Sequence, residues 1–199
     1  MNVFNDGAVL VKSILTTHFT GASKLLDSTS SVSAMHKAHG RFVVRGDIRP
    51  EVKPHYIGTF DALPFADNSF QVGFLDPPFK RGVRAREDYY VLRYGIAPNN
   101  ENACTKSYYK GMDELVRVCS CGMVVKFMDA SDGHTFHDRR YSLCNYMLSV
   151  HGLKLHDVAV LVADSRLPQT STGVRRFLGQ SCSYFLVWCW DSKKRGVKF

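Results

Sequence analysis

Short apolar runs alternate along this chain with stretches of helical period, the pattern of an α/β fold. Asp6 stands where it would cap a helix running through about His18, with Val9, Ile14 and Leu15 on one face. Lys24-Leu25-Leu26-Asp27 reads as a short buried strand ending in an acid, Val32 to His39 as a helix closed by Gly40, and Arg41 to Asp47 as a second acid-terminated strand. Together they form a βαβ unit, for which a right-handed crossover is expected. His55 to Phe60 predicts a third strand and Gln71 to Asp76 a fourth, which Pro77-Pro78 stops. Thr105 to Val118 has helical spacing, Gly122 reads as a break, and Met123 to Met128 follows as a strand. Thr135 to His151 is a further helix that Gly152 is placed to end. Leu155 to Ala163 and Ser183 to Trp190 complete a set of seven predicted strands.

A length of 199 residues fits one domain over 1–199, comprising an N-terminal helix within 1–20, a basic and aromatic loop at 80–104 and a basic tail at 191–199. With 45% hydrophobic and 22% charged residues the chain is no disordered or fibrous sequence. The apolar run from Ala8 to Leu15 is broken by Lys12 and lacks a small-residue cleavage site, and no run reaches membrane-spanning length. An intracellular, cytoplasmic protein is expected. Six scattered cysteines read as reduced thiols. No metal is expected, because Cys119-Ser-Cys121 lacks a second pair and His134 with His137 lacks a third ligand. The 26 basic against 18 acidic side chains, a net charge of +8, favour a polyanionic partner.

Candidate chemistry gathers at strand ends. Asp27, Asp47, Asp61 and Asp76 all fall at or just after a predicted strand, where open α/β sheets place their ligands. Singly, each has an ordinary explanation in a turn. As a set they point to one cleft, because unpaired carboxylates are costly to bury. Asp76-Pro77-Pro78-Phe79 is the sharper signal. Two prolines fix two φ angles and remove two donors. The chain can then present an Asp76 oxygen and the Pro77 carbonyl as paired acceptors for an amino group, with Phe79 as a face for a flat base.

The sequence of Leu26-Asp27, Gly46-Asp47, Asp61-Ala62-Leu63-Pro64-Phe65 with Asn68-Ser69-Phe70, and Asp76-Pro77-Pro78-Phe79 resembles class I S-adenosylmethionine-dependent methyltransferases of the amino-methylating type. It is similar in particular to small DNA-methylase-like proteins of phages and bacteria. Arg93-Tyr94-Gly95, Met112-Asp113-Glu114 with Arg117-Val118, Val124-Val125-Lys126, Asp129 and Ser183 to Val187 extend the likeness over roughly Leu25 to Trp188. The resemblance implies a Rossmann-like class I methyltransferase fold, α/β, with a seven-stranded mostly parallel sheet, helices on both faces and an antiparallel C-terminal strand. It implies S-adenosyl-L-methionine as cofactor. The turn from Asp27 to Ser33, with Thr29, Ser31 and Ser33, would hold the methionine end. Asp47 and the adjoining Ile48 would meet the ribose, Asp61, Ala62 and Leu63 the adenine, and Asp76, Pro77, Pro78 and Phe79 the target amine. One departure stands out: Ser31 and Ser33 occupy places where the family has glycine, and serine permits close backbone approach less readily.

Lys80, Arg81, Arg84, Arg86 and Arg93, interleaved with Tyr89, Tyr90 and Tyr94, follow the motif. Basic groups track phosphates and aromatic rings stack on bases, so Lys80, Arg81, Arg84, Arg86 and Tyr94 are expected to contact nucleic acid; a solvated charged loop is the bland counterpart. The expected activity is methylation of an exocyclic amine on a base, adenine N6 in DNA first and cytosine N4 next. The alternatives are an RNA base methyltransferase and a catalytically silent nucleic-acid-binding relative.

Overall fold

The computed structural model describes residues 2–30, 41–77, 101–131, 136–162 and 182–191. The helix expected over Val32 to His39, most of the basic loop and the tail from 192 lie outside the described residues.

Among the described residues, ten strands and three α-helices follow in chain order: β1 (Asn2–Phe4), α1 (Gly7–His18), β2 (Leu25–Asp27), β3 (Val43–Asp47), β4 (Tyr56–Ile57), β5 (Phe70–Leu75), α2 (Glu101–Val118), β6 (Cys119–Phe127), β7 (Ala130–Ser131), β8 (Phe136–His137), α3 (Arg139–His151), β9 (Asp157–Val162) and β10 (Cys182–Cys189). Eight of the strands form one sheet, in the order β1-β9-β10-β6-β5-β2-β3-β4, while β7 and β8 make a separate antiparallel ribbon. All neighbours in the main sheet are parallel except β10, which runs antiparallel to β6 and to β9. The α/β class and the antiparallel last strand match expectation. The count of seven does not: β1 adds an eighth strand, three residues too short to show a period, recognised only by its pairing with Ala159 to Leu161.

Alternation along β6 divides the interior. Met123, Val125 and Phe127 pack with Tyr108, Met112 and Leu115 of α2 and Leu143 and Met147 of α3. Val124 faces the other way, with Leu10, Val11, Ile14 and Leu15 of α1. Helices therefore cover both faces, and each fully buried aliphatic side chain in these layers contributes about 1.5–3 kcal/mol. Asp6 caps α1 as anticipated, accepting from the amides of Ala8 and Val9 at 2.7 and 3.0 Å. Gly152 ends α3 in the left-handed conformation at φ 66°.

Other boundaries move for identifiable reasons. The third strand shrinks from His55–Phe60 to Tyr56–Ile57, because Phe60 turns into the core. The loop expected to reach residue 104 gives way at Glu101 to α2. The helix expected from Thr135 starts at Arg139, since Phe136 and His137 pair with β7 and the Asp138 carboxylate accepts from the Tyr141 amide at 2.9 Å. Gly122 is no break: β6 runs straight through it. A methyl at that position would run into the Trp188 carbonyl of β10 and the Phe19 ring after α1, so glycine is there for close approach. Gly122→Ala is accordingly expected to destabilise the fold by about 1–3 kcal/mol, the usual range for overpacking, measured as a lower midpoint of urea unfolding with an unchanged slope.

Candidate active site

The chain passes β2, β3 and β4 outward along the sheet and then returns to lay β5 against the other side of β2. That reversal is a topological switch point, and β2 and β5 end beside each other there in Asp27 and Asp76. The turn after β2 is fastened across the junction. The Ser28 amide and hydroxyl both donate to the Phe74 carbonyl at 3.2 and 3.0 Å, and the Thr29 amide donates to the Asp27 carboxylate at 3.1 Å. The Thr29 hydroxyl oxygen then accepts the Asp76 amide at 2.7 Å. On the far side the Ser30 amide donates to the Gly46 carbonyl at 2.9 Å, which ties the same turn to β3.

Asp76 is joined by a residue to which no role was given from sequence. Leu75 and Val125 are register partners in β5 and β6, so the next residues along, Asp76 and Lys126, lie side by side. Lys126 Nζ donates to Asp76 Oδ2 at 2.7 Å, with both side chains about a fifth exposed. Burial pushes the Asp76 carboxyl above the usual carboxylate range, Lys126 opposes that rise by charge and hydrogen bond, and the charge of Asp27 adds to it. Oδ1 of Asp76 takes no hydrogen bond from a described residue.

Asp47 ends β3 almost fully buried and is gripped by Arg49, whose Nε and terminal nitrogen donate to the two carboxylate oxygens at 3.0 and 3.1 Å. Arg49 was given no role from sequence, although an arginine two residues beyond a strand-ending acid is a signal that could have found it. Tyr56 of β4 lays its ring against Gly46, where a side chain would collide with it. Burial first, then the charges of Asp27 and Asp47, drive its hydroxyl far above the ordinary tyrosine range. The Tyr56 hydroxyl and the Ser30 hydroxyl are both buried and find no partner among the described residues. Unsatisfied buried hydroxyls flanking two acids at a switch point fit a polyhydroxylated ligand that would satisfy them.

Residues 60–69 are held by a different device. Arg117 donates to the carbonyls of Leu63 and Phe65 at 3.0 and 2.7 Å and pairs with Glu114 and Asp67. Glu114 in turn accepts the Leu63 amide at 2.6 Å. Leu63 is thus a core residue with its amide committed, Ala62 is exposed, and Asp61 lies 3.9 Å from Lys110 on α2. The structure brings Asp27, Thr29 and Asp76 into one bonded cluster with buried Pro77 following, and places Asp47 beside it through Tyr56, with half-buried Ile48 next in the chain. It makes no direct bond from Asp61, Ala62 or Leu63 to that cluster among the described residues. Ser31, Ser33, Pro78, Phe79, Lys80, Arg81, Arg84, Arg86 and Tyr94 lie outside the described residues.

No protein-family model and no curated protein sequence matches this chain. Solved structures do. A SAM-dependent methyltransferase from Methanosarcina mazei superposes with a TM-score of 0.54 at 12% identity, over 89% of this chain and 97% of its own. A methyltransferase candidate from Bacillus halodurans gives 0.52 at 11%, over 90% and 97%. The 1,6-didemethyltoxoflavin-N1-methyltransferase of Burkholderia thailandensis, solved with bound 1,6-didemethyltoxoflavin and S-adenosylhomocysteine, gives 0.51 at 8%, over 94% and 79%. The likeness establishes the fold: this chain has the Rossmann-like architecture of those methyltransferases.

The Arg117 clamp predicts a pH signature. Hydrogen bonding from Arg117 holds the Glu114 carboxyl below its usual value of 4.5. A depressed carboxyl contributes stability that is full above the unfolded value and is lost as pH falls through the folded one. Glu114→Gln should therefore lower stability at neutral pH and flatten the loss of stability below about pH 4.5, followed by thermal melting across that range.

Proposed function

We propose that this protein is an S-adenosylmethionine-dependent amino-methyltransferase acting on an exocyclic amine of a nucleic-acid base, with adenine N6 in DNA as the first candidate. The observation that carries the reading is the Asp76 carboxylate at the switch point, its amide pinned by Thr29, one oxygen held by Lys126, and Pro77 next in the chain. Such a group suits an amine better than an alcohol or a carbon acid, since it supplies acceptors to N–H donors.

The cofactor, when bound, supplies an electrophilic methyl group on a sulfonium. The turn from Asp27 through Ser30 would hold its amino-acid end, and Asp47 with the unpaired Tyr56 and Ser30 hydroxyls would meet its ribose. The lone pair of an aromatic amine is delocalised into its ring. Acceptor contacts from Asp76 and the Pro77 carbonyl to the two amine hydrogens would localise that pair toward the methyl, and a fixed approach line contributes through orientation. Lys126 opposes the rise that burial imposes on the Asp76 carboxyl and holds Oδ2, leaving Oδ1 for the amine. A base within a duplex cannot reach such a site, so the substrate is flipped or single-stranded.

A second reading rests on Arg49. An Asp47 carboxylate held at both oxygens by Arg49 has fewer lone pairs left for ribose hydroxyls, which favours a nucleic-acid-binding relative without transfer. Calorimetric titration with S-adenosylmethionine separates the two: saturable binding by the folded protein supports the enzyme, and no heat sinks it.

Two variants test the assigned roles with a labelled-methyl assay on single-stranded DNA, duplex DNA and RNA. Asp76→Asn should remove transfer by a factor of about 100 or more, comparable to loss of a preorganised electrostatic contact, with cofactor affinity nearly intact. The second variant concerns pH. Because the Asp76 carboxyl is raised in the fold, its ionised acceptor form is lost as pH falls through that raised value. Lys126→Met removes the charge that opposes the rise, so the acid limb of the pH–rate profile should move to higher pH; a limb that stays in place would reject the coupling.

A further inference from the structure

At the opposite ends of the strands from Asp27 and Asp76, three side chains from separate elements converge. His18 is in the last turn of α1, His156 directly precedes β9, and Cys189 ends β10. One potential ligand atom from each lies within 4.8 Å of the other two. Antiparallel pairing of β9 with β10 produces this meeting: Asp157 is the register partner of Val187, and the His156 amide donates to the Val187 carbonyl at 2.9 Å. The His18 and His156 rings sit edge to face with centroids 5.2 Å apart.

We propose that His18, His156 and Cys189 form a binding site for a zinc-class divalent transition-metal ion. Two imidazoles and a sulfur are the donor types that zinc selects, and alkaline-earth ions prefer oxygen. Zinc bonds of about 2.0–2.1 Å to nitrogen and 2.3 Å to sulfur set tetrahedral donors roughly 3.3–3.7 Å apart. Closing the present spacing to that distance takes side-chain rotation of about an ångström.

Asp157 is a fourth member. Its Oδ2 lies 2.9 Å from His18 Nε2, and its Oδ1 accepts the Val158 amide at 2.7 Å, which fixes the carboxylate. With Nδ1 of His18 toward the ion, Asp157 is the carboxylate that orients a metal-bound histidine. With Nε2 toward it, Oδ2 completes four donors. Either arrangement gives Asp157 a part in the site. The carboxyl end of α1 also carries the partial negative charge that favours a cation. The ion would staple α1 to β9 and β10. It takes no part in methyl transfer, so this proposal stands apart from the proposed reaction.

The test uses the full chain, purified under reducing conditions, stripped with a chelator and titrated with Zn²⁺ and separately with Co²⁺. Expected are one equivalent of bound zinc by elemental analysis and, with cobalt, a thiolate-to-metal charge-transfer band with the strong visible absorption of a tetrahedral site. His156→Ala, at an exposed position, and Cys189→Ser should each abolish the cobalt spectrum, and Asp157→Asn should weaken zinc binding by about 10–100-fold. Circular dichroism would confirm that each variant is folded. A folded wild-type chain that shows no cobalt–thiolate band overturns the proposal. So does a folded Cys189→Ser chain that keeps the wild-type spectrum, since the ion would then sit elsewhere.

Discussion

The hydrogen bond from the Asp76 amide to the Thr29 hydroxyl crosses the place in the sheet where the chain, after running outward through β2, β3 and β4, turns back to β5. Residues nearly fifty positions apart are held there as neighbours, and the remaining site geometry hangs on that closure. Were β5 to pair anywhere other than beside β2, Asp27 and Asp76 would not share an edge and Ser28 would lose the Phe74 carbonyl. Parallel pairing of this kind needs a crossover of about a dozen residues or more between the paired strands, so the site is assembled from segments distant in the chain.

Charge at that edge is arranged by compensation. Asp27, Asp47 and Asp76 would repel one another if left alone in a region of low dielectric. Arg49 takes up Asp47 and Lys126 takes up Asp76, while Asp27 bonds to the amide of its own turn. Each acid thereby keeps a different character: one doubly held, one held at a single oxygen, one folded into a turn. A set of identical residue types near strand ends is made chemically distinct by different partners: its own loop for Asp47, its own turn for Asp27 and the neighbouring strand for Asp76.

Much of this was legible in the sequence, and the failures share a cause. The acids Asp27, Asp47 and Asp76, the Asp6 cap and the Gly152 stop are local signals, carried within a few residues and set by backbone geometry, and each stands where the pattern put it; Asp61 does not, because β4 ends at Ile57, well before it. The Lys126 to Asp76 contact depends on the register of β5 against β6, which no local period encodes. The same holds for β1, too short to display alternation, and for Gly122, whose reason for being glycine sits on β10 and on Phe19. Leu63 shows the reverse error of emphasis. Its motif marks a loop held in place by Glu114 and Arg117, so the pattern reports how the segment is anchored as much as what it touches.

Among the described residues, the two ends of the sheet finish in β1 and β4, of three and two residues. A long exposed edge would present a row of unpaired amides and carbonyls to any other extended chain. Strands this brief offer room for only one or two such bonds. The consequence is a bound on sheet growth: the eight-stranded layer ends in stubs that make poor templates for aggregation, even though its interior strands are apolar enough to be strong ones.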